Sequence, residues 1–295
     1  MNNQLKTILL LGGLSVLLVS LGGAIGGAFT YVFLGIALLM NLFGYLYSDR
    51  IVLRMSGARI VDEAEAPALH QMVRELADRA GLPMPTLAIV QDPTPNAFAT
   101  GRSPSRAVIA VHEGLLRLVT PGELRGVLAH ELAHVKNRDT LVATIAAAGA
   151  TAITHFAHMI QWSAILGGGS SNDEEEGSAG GGLLMAFLAP IGAMLLQMGI
   201  SRSREFLADD YAGRLTGEPE QLASALQKLQ AYGEHMVAQG ATGPQPATAG
   251  LAIVNPLAGG GMFRWFSTHP PIEARVTKLH DLARELGRAF DERVA

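Results

Sequence analysis

Long stretches without a charged residue are the dominant pattern in this sequence. They cover residues 7–48, 140–172 and 177–201. Because about 20 apolar residues cross a bilayer, the first stretch is long enough for two spans joined near residues 22–27, and each later stretch is long enough for one. The pattern predicts two transmembrane hairpins, at residues 1–48 and 140–201. The alternative for the second is a buried or shallow interfacial hairpin, because Ala, Gly and Thr dilute its hydropathy.

Charged residues are distributed unevenly around these stretches. The loop at 167–182, between the two later stretches, carries four acidic residues and no basic residue. Basic residues flank the other ends of the stretches, namely Lys6, Arg50, Arg54, Arg59, Lys136, Arg138, Arg202 and Arg204. The positive-inside rule then places residues 49–139 and 202–295 on the cytoplasmic side, as two halves of one domain.

Outside the hairpins, the pattern is that of a mainly helical domain with a small sheet. Apolar residues at helical spacing predict helices, and short β-rich runs bounded by Pro, Gly and Asp predict strands. The predicted helices cover residues 67–80, 121 to at least 135, 219–238 and a segment opening at 271, and the predicted strands cover 86–90, 96–100 and 107–111. The stretch 240–261, rich in Gly, Ala and Pro, predicts a long loop.

Composition agrees with this architecture and excludes some functions. A hydrophobic content of 49% and a mean hydropathy of +0.27 suit a chain with about four spans. The net charge of −4 is too mild to indicate a nucleic-acid partner. Because the chain has no cysteine, disulfides and a thiolate zinc site are excluded.

The chemistry of the chain is concentrated in the sequence HELAH, from His130 to His134. On a helix, two histidines four residues apart share a face and can bind one zinc ion, while Glu131 can reach a water bound to that ion. Thr120 and Glu123 form a capping-box pattern at the start of the predicted helix. The sequence therefore predicts the zinc site of a metallohydrolase.

Catalytic zinc sites usually have three protein ligands and an open position for water, so a third ligand is expected elsewhere. Glu205 is the best candidate, and Asp209 lies four residues later on the same predicted helical face. Asp209 is then placed to accept the outer N–H of a ligating histidine. The alternative is a solvated charged face. Two membrane crossings between the HELAH sequence and Glu205 return the chain to the same side, so the three ligands can meet.

Two further groups of residues are candidates for handling a substrate. His269 lies just before a predicted helix, where it can donate to a developing oxyanion, and Arg275 faces a similar direction one turn into that helix. A capping or surface pair is the alternative. The strand with Asn96, Ala97 and Phe98 can pair with an extended peptide by edge addition, and plain scaffolding is the alternative there.

Three sequence segments together carry a family resemblance. HELAHVKNRD, SRSREFLADDYA and STHPPIEARV, with a hydrophobic hairpin between the first two, resemble the HtpX-type membrane zinc metalloproteases, a family related to the CAAX prenyl proteases. The resemblance implies a gluzincin-like zinc metallopeptidase domain that binds one Zn²⁺ per chain. The roles it implies are zinc ligands His130, His134 and Glu205, the base Glu131, a supporting carboxylate Asp209, substrate-backbone binding at Asn96, Ala97 and Phe98, and assistance at the scissile carbonyl from His269 and Arg275.

The resemblance also implies a cellular setting and a reaction. It implies a multi-pass endopeptidase of the bacterial cytoplasmic (inner) membrane whose catalytic domain faces the cytoplasm and degrades misfolded or damaged membrane proteins. In the implied mechanism, zinc lowers the pKa of its bound water toward about 7, and Glu131 takes the proton and later delivers it to the leaving amine. The alternatives are a dedicated processing peptidase for a lipidated or C-terminal motif, and a non-enzymatic membrane scaffold or holdase. The complete set of expected site residues favours an enzyme.

Overall fold

The structure, a computed structural model, describes residues 27–141, 202–239 and 270–287, together with residue 143 and a few positions between 11 and 23. Most of the hairpin predicted at 140–201 lies outside the described residues. The loop predicted at 240–261 and the predicted site residue His269 lie outside them as well.

Four strands form one mixed sheet. They are β1 (Ala58–Ile60), β2 (Thr86–Val90), β3 (Ala97–Thr100) and β4 (Val108–His112). The order across the sheet is β1-β2-β4-β3, with β2 parallel to β4 and the two outer strands antiparallel to their neighbours. The three predicted strands are confirmed to within one residue at each end. Sequence reasoning missed β1, because three residues that are mostly exposed are too few to show an alternating pattern.

Seven α-helices and a short 3-10 helix (Pro104–Arg106) accompany the sheet in the described part of the chain. They are α1 (Gly27–Met55), α2 (Pro67–Ala80), α3 (Glu113–Leu118), α4 (Pro121–Lys136), α5 (Arg202–Thr216), α6 (Pro219–Ala238) and α7 (Ile272–Glu285). The predicted helices at α2, α4 and α6 are confirmed, and α7 begins one residue after the predicted opening proline. Helix α2 ends at Gly81, whose φ of 66° lies in the left-handed region where glycine has no steric penalty.

Helix α4 lies at the centre of the domain. It packs against α5, α6 and β3, and Val127, Leu128 and Leu132 have no exposed surface. Gly126 allows α6 to approach closely, because a Cβ atom at this position would lie 3.0 Å from the backbone nitrogen of Leu222. Dense packing of this kind leaves a helix little freedom to shift. The polar side chains that α4 carries are therefore held in fixed positions.

Helix α1 carries apolar side chains that remain largely exposed. Tyr31, Leu38, Leu39 and Phe43 expose between 54% and 78% of their surface, whereas Val52 near the other end is buried against the sheet. Among the helices that the structure describes, none combines the length and the apolar character needed to cross a membrane.

Candidate active site

The start of α4 is fixed by the predicted capping box. The Thr120 hydroxyl accepts a hydrogen bond from the backbone N–H of Glu123, and the Thr120 N–H donates to the Glu123 carboxylate at 2.7 Å. That carboxylate also accepts hydrogen bonds from Ser224 (2.6 Å) and Lys228 (2.8 Å) of α6. One buried side chain thus satisfies the first turn of α4 and ties it to its neighbouring helix.

His130 and His134 lie one above the other on the buried face of α4. Their Nε2 atoms are 3.2 Å apart and their rings are nearly perpendicular, with an interplanar angle of 88°. Two nitrogen ligands of one tetrahedral zinc ion, each about 2.0–2.1 Å from the metal, are separated by roughly 3.3 Å. The spacing of the two imidazoles therefore fits a shared metal ion.

Helix α5 brings Glu205 to the two histidines. One carboxylate oxygen of Glu205 lies 3.4 Å from Nε2 of His134, and the other lies 3.7 Å from Nε2 of His130. One ligand atom from each of the three residues lies within 4.8 Å of the other two. Two imidazole nitrogens and a carboxylate oxygen form a donor set that catalytic zinc sites use. The residues present fit a zinc ion.

The outer nitrogens of both histidines face carboxylates. Nδ1 of His130 lies 2.9 Å from Asp209, and Nδ1 of His134 lies 3.1 Å from Asp139. When each outer N–H donates to its carboxylate, both Nε2 lone pairs point at each other and require a cation or a proton between them. This arrangement is a second indication of a metal site. Sequence reasoning missed Asp139, whose signal is an acidic residue just beyond the end of α4.

In the absence of a metal ion, the surroundings of His134 favour its protonated form. Burial lowers the pKa of His134, but the hydrogen bond to Asp139 and the charges of Glu205 and Glu131 outweigh that effect and raise the pKa to about 9. A metal ion that binds here displaces this proton, because only the neutral imidazole is a ligand. The negative charge around His134 thus favours the binding of either a proton or a metal ion.

Asp209 is held by a buried arginine. Nε and Nη2 of Arg275 each donate to one carboxylate oxygen of Asp209, both at 2.7 Å. Burial alone would raise the pKa of Asp209, but the charge and hydrogen bonds of Arg275 and the hydrogen bond from His130 hold the pKa below its ordinary value. Asp209 is therefore ionised and able to accept the N–H of His130.

Arg275 lies in the protein interior, next to the candidate metal ligands. Its side chain has no exposed surface, and Nη1 lies 3.4 Å from Glu205. The guanidinium thus contacts the Asp209 carboxylate and the third candidate ligand within the protein interior. This position suits a group that organises the ligands, and the role expected from the sequence, assistance at the scissile carbonyl, stays a prediction.

Glu131 lies beside the three candidate ligands and is 5% exposed. Burial raises the pKa of Glu131 to about 7, and the charge of Glu205 adds to this effect. The charges of His134 and Arg275 and a hydrogen bond from the backbone N–H of Ala99 act in the opposite direction. A carboxyl group whose pKa is near neutrality can both accept and donate a proton at physiological pH.

Strand β3 packs against α4 and lies at one edge of the described sheet. Asn96 immediately precedes it, and its carbonyl accepts a hydrogen bond from the N–H of His112. Ala97 contributes to the main core, whereas Phe98 packs with Val52 and other residues of a second core cluster. Because both side chains are buried, the backbone of β3 is the part of this strand that suits contact with a substrate.

Fold and site together define a metallopeptidase: a helix with two histidines and a glutamate, a third ligand from a second helix, and an adjoining sheet. The model of Peptidase family M48 matches residues 63–283 of the chain. The chain belongs to peptidase family M48, and it is a zinc metalloprotease, a hydrolase.

Two relatives are similar to this chain over nearly its whole length. A Protease HtpX homolog of Pelotomaculum thermopropionicum is 52% identical over 283 residues, which cover 95% of this chain and 99% of the relative. A Protease HtpX homolog of Thermococcus kodakarensis is 49% identical over 288 residues, covering 97% and 98% of the two chains. The crystal structure of S. mikatae Ste24p matches with a TM-score of 0.48, and the two sequences are 19% identical. The match covers 94% of this chain and 64% of that chain.

Proposed function

We propose that this protein is a membrane-bound endopeptidase that hydrolyses peptide bonds of misfolded or damaged membrane proteins. In this proposal, His130, His134 and Glu205 hold one zinc ion and Glu131 is the general base. The observation that carries the proposal is the convergence of the three ligand groups within 4.8 Å, beside the buried carboxyl group of Glu131.

A zinc ion bound by these three residues supplies Lewis acidity, which makes a water molecule more acidic and polarises a carbonyl group. Glu131 takes the proton from the attacking water as the oxygen approaches the peptide carbon. The same carboxyl group then delivers that proton to the leaving amine. The position of this buried carboxyl group beside the three ligand groups suits both transfers, because the same oxygen atoms can reach the water and the leaving amine.

We propose that the peptide substrate lies along β3 in an extended conformation. Edge addition supplies main-chain hydrogen bonds that do not depend on the substrate sequence. The hydrogen bond that the backbone N–H of Ala99 donates to the Glu131 carboxylate supports this proposal, because it places the base beside the strand. We assign the binding to the backbone of residues 96–98, with His269 as a donor to the oxyanion and Arg275 as the residue that keeps Asp209 in place.

We further propose that the chain is a multi-pass protein of the bacterial cytoplasmic membrane, with its catalytic residues on the cytoplasmic side. The uncharged stretches of the sequence and the exposed apolar side chains of α1 support membrane attachment, and the basic flanks support the orientation. A cysteine at Ser171 should react with an impermeant reagent in intact cells, while a cysteine at Ser56 should not. The reverse pattern would contradict the orientation.

The proposed activity is tested with Glu131→Gln, which keeps the size of the side chain and removes the base. Cells that carry this variant should accumulate membrane proteins that the wild type degrades, and the purified variant should not cleave them. Glu113→Gln is the matched control, because Glu113 lies on α3 and forms an ion pair with Arg117 four residues later. If Glu131→Gln cleaves the accumulated proteins as fast as the control, the proposed role of Glu131 is wrong.

A further inference from the structure

A second buried carboxylate reaches the metal ligands from the end of α4. The helix ends at Lys136, and Arg138 then adopts a φ of 57°. This left-handed conformation is unfavourable for a residue other than glycine, and such residues occur where the surrounding structure enforces them. The turn directs Asp139, which is 4% exposed, back toward α4.

Both carboxylate oxygens of Asp139 are used. One lies 3.1 Å from Nδ1 of His134, and the other accepts a hydrogen bond from Nη1 of Arg204 at 2.9 Å. The next residue, Thr140, donates to the carbonyl oxygen of Gly101 at 2.9 Å, which fixes the turn against the loop that follows β3. Asp139 is thus held from both sides while it faces the histidine.

The same arrangement occurs twice in the site. On one side, His130 faces Asp209, which is held by Arg275, and on the other side His134 faces Asp139, which is held by Arg204. A carboxylate that accepts the outer N–H of a ligating histidine fixes the tautomer and the ring orientation, and makes the imidazole a better ligand.

We propose that Asp139 is a positioning residue that holds His134 in its ligating orientation, and that Arg204 acts through Asp139. This inference rests on the proposed metal site. Arg204 immediately precedes Glu205, so its ion pair with Asp139 also ties the third ligand to the end of α4. In sequence, Asp139 and Arg204 lie on either side of the segment 144–201, and the ion pair therefore connects the two parts of the chain that supply the ligands.

The test is the zinc dissociation constant of the purified full chain in detergent, measured by competition with a chelator. Asp139→Ala should weaken zinc binding by about 10–100-fold. Asp139→Asn should weaken zinc binding less than Asp139→Ala, because the amide oxygen of asparagine still accepts a hydrogen bond from the N–H of His134. Arg204→Gln should also weaken binding, and adding it to Asp139→Ala should cause no further loss, since Arg204 acts through the carboxylate.

Arg214→Gln is the matched control, because Arg214 lies on the same helix as Arg204 and forms ion pairs at the surface. Its zinc affinity should equal that of the wild type. Near-wild-type affinity in Asp139→Ala, or an equal loss in the Arg214 control, would overturn the inference. If Asp139→Ala does not fold, wild-type affinity in both Asp139→Asn and Arg204→Gln would overturn it. A wild-type chain that binds no zinc would instead refute the proposed metal site.

Discussion

Replacing Arg275 with methionine should destabilise the protein strongly. Arg275 is fully buried, and its two hydrogen bonds of 2.7 Å balance the charge of Asp209, whose side chain is 2% exposed. Methionine fills much of the same volume but supplies neither charge nor donors. The variant therefore leaves a carboxylate buried without a cation, and burial then raises the pKa of Asp209 and weakens its hydrogen bond to His130.

The size of the effect follows from the burial of both partners. Removing one partner of a buried ion pair typically costs about 3–5 kcal/mol of unfolding free energy. For a domain of this size, each kcal/mol corresponds to about 2–4 °C in Tm, so the midpoint should fall by roughly 6–20 °C. Arg214→Met is the control, because its ion pairs are exposed at the surface and screened by solvent, so their loss should lower the midpoint much less.

Thermal and denaturant unfolding of the metal-free full chain in detergent measures this difference. The double variant Arg275→Met with Asp209→Leu should recover part of the lost stability, because the carboxylate that lost its cation is then removed as well. It should not recover zinc affinity, because His130 has lost its acceptor. If Arg275→Met and Arg214→Met lower the midpoint equally, the assignment of Arg275 as the residue that holds Asp209 is wrong.

Two further predictions concern the packing and pH dependence of α4. Gly126→Val should destabilise the protein by about 1–3 kcal/mol, because its side chain would press on the backbone of Leu222, whereas Gly122→Ala meets only the flexible end of a glutamine side chain and should be tolerated in the same unfolding assay. Burial would raise the pKa of Glu123, but Lys228 and the other donors lower the pKa below its ordinary value. The ionised Glu123 carboxylate therefore stabilises the folded protein at pH values above the pKa of the unfolded chain. This stabilisation is lost as the pH falls through the pKa of the folded protein. Unfolding measured from pH 6 to pH 3 should show a smaller loss of stability for Glu123→Gln than for the wild type, and equal slopes would contradict the assignment.

Local patterns predicted the part of the site that lies within single helices. The spacing of His130 and His134 and the capping residues of α4 depend only on helical periodicity and on short-range hydrogen bonds. The same periodicity placed Glu205 and Asp209 on one face of α5. These contacts span at most one turn of helix, so the sequence contains them directly.

Contacts between distant segments were not predictable in this way. Arg275 lies 66 residues after its partner Asp209, and no local pattern connects them. Asp139 reaches His134 across a turn in which Arg138 adopts a left-handed conformation, which its residue type does not favour. The packing of Arg275 against Asp209 and Glu205 is likewise a contact between distant segments, and no local pattern in the sequence predicts it.

The metal content of the purified full chain and of two variants tests the central claim most directly. The wild type should contain about one zinc ion per chain. Glu131→Gln should retain that zinc and lose peptide hydrolysis, since Glu131 is proposed to move protons and is not a ligand. Glu205→Ala should lose both zinc and hydrolysis. If Glu205→Ala retains a full complement of zinc, or if the wild type contains none, the proposed site of His130, His134 and Glu205 is wrong.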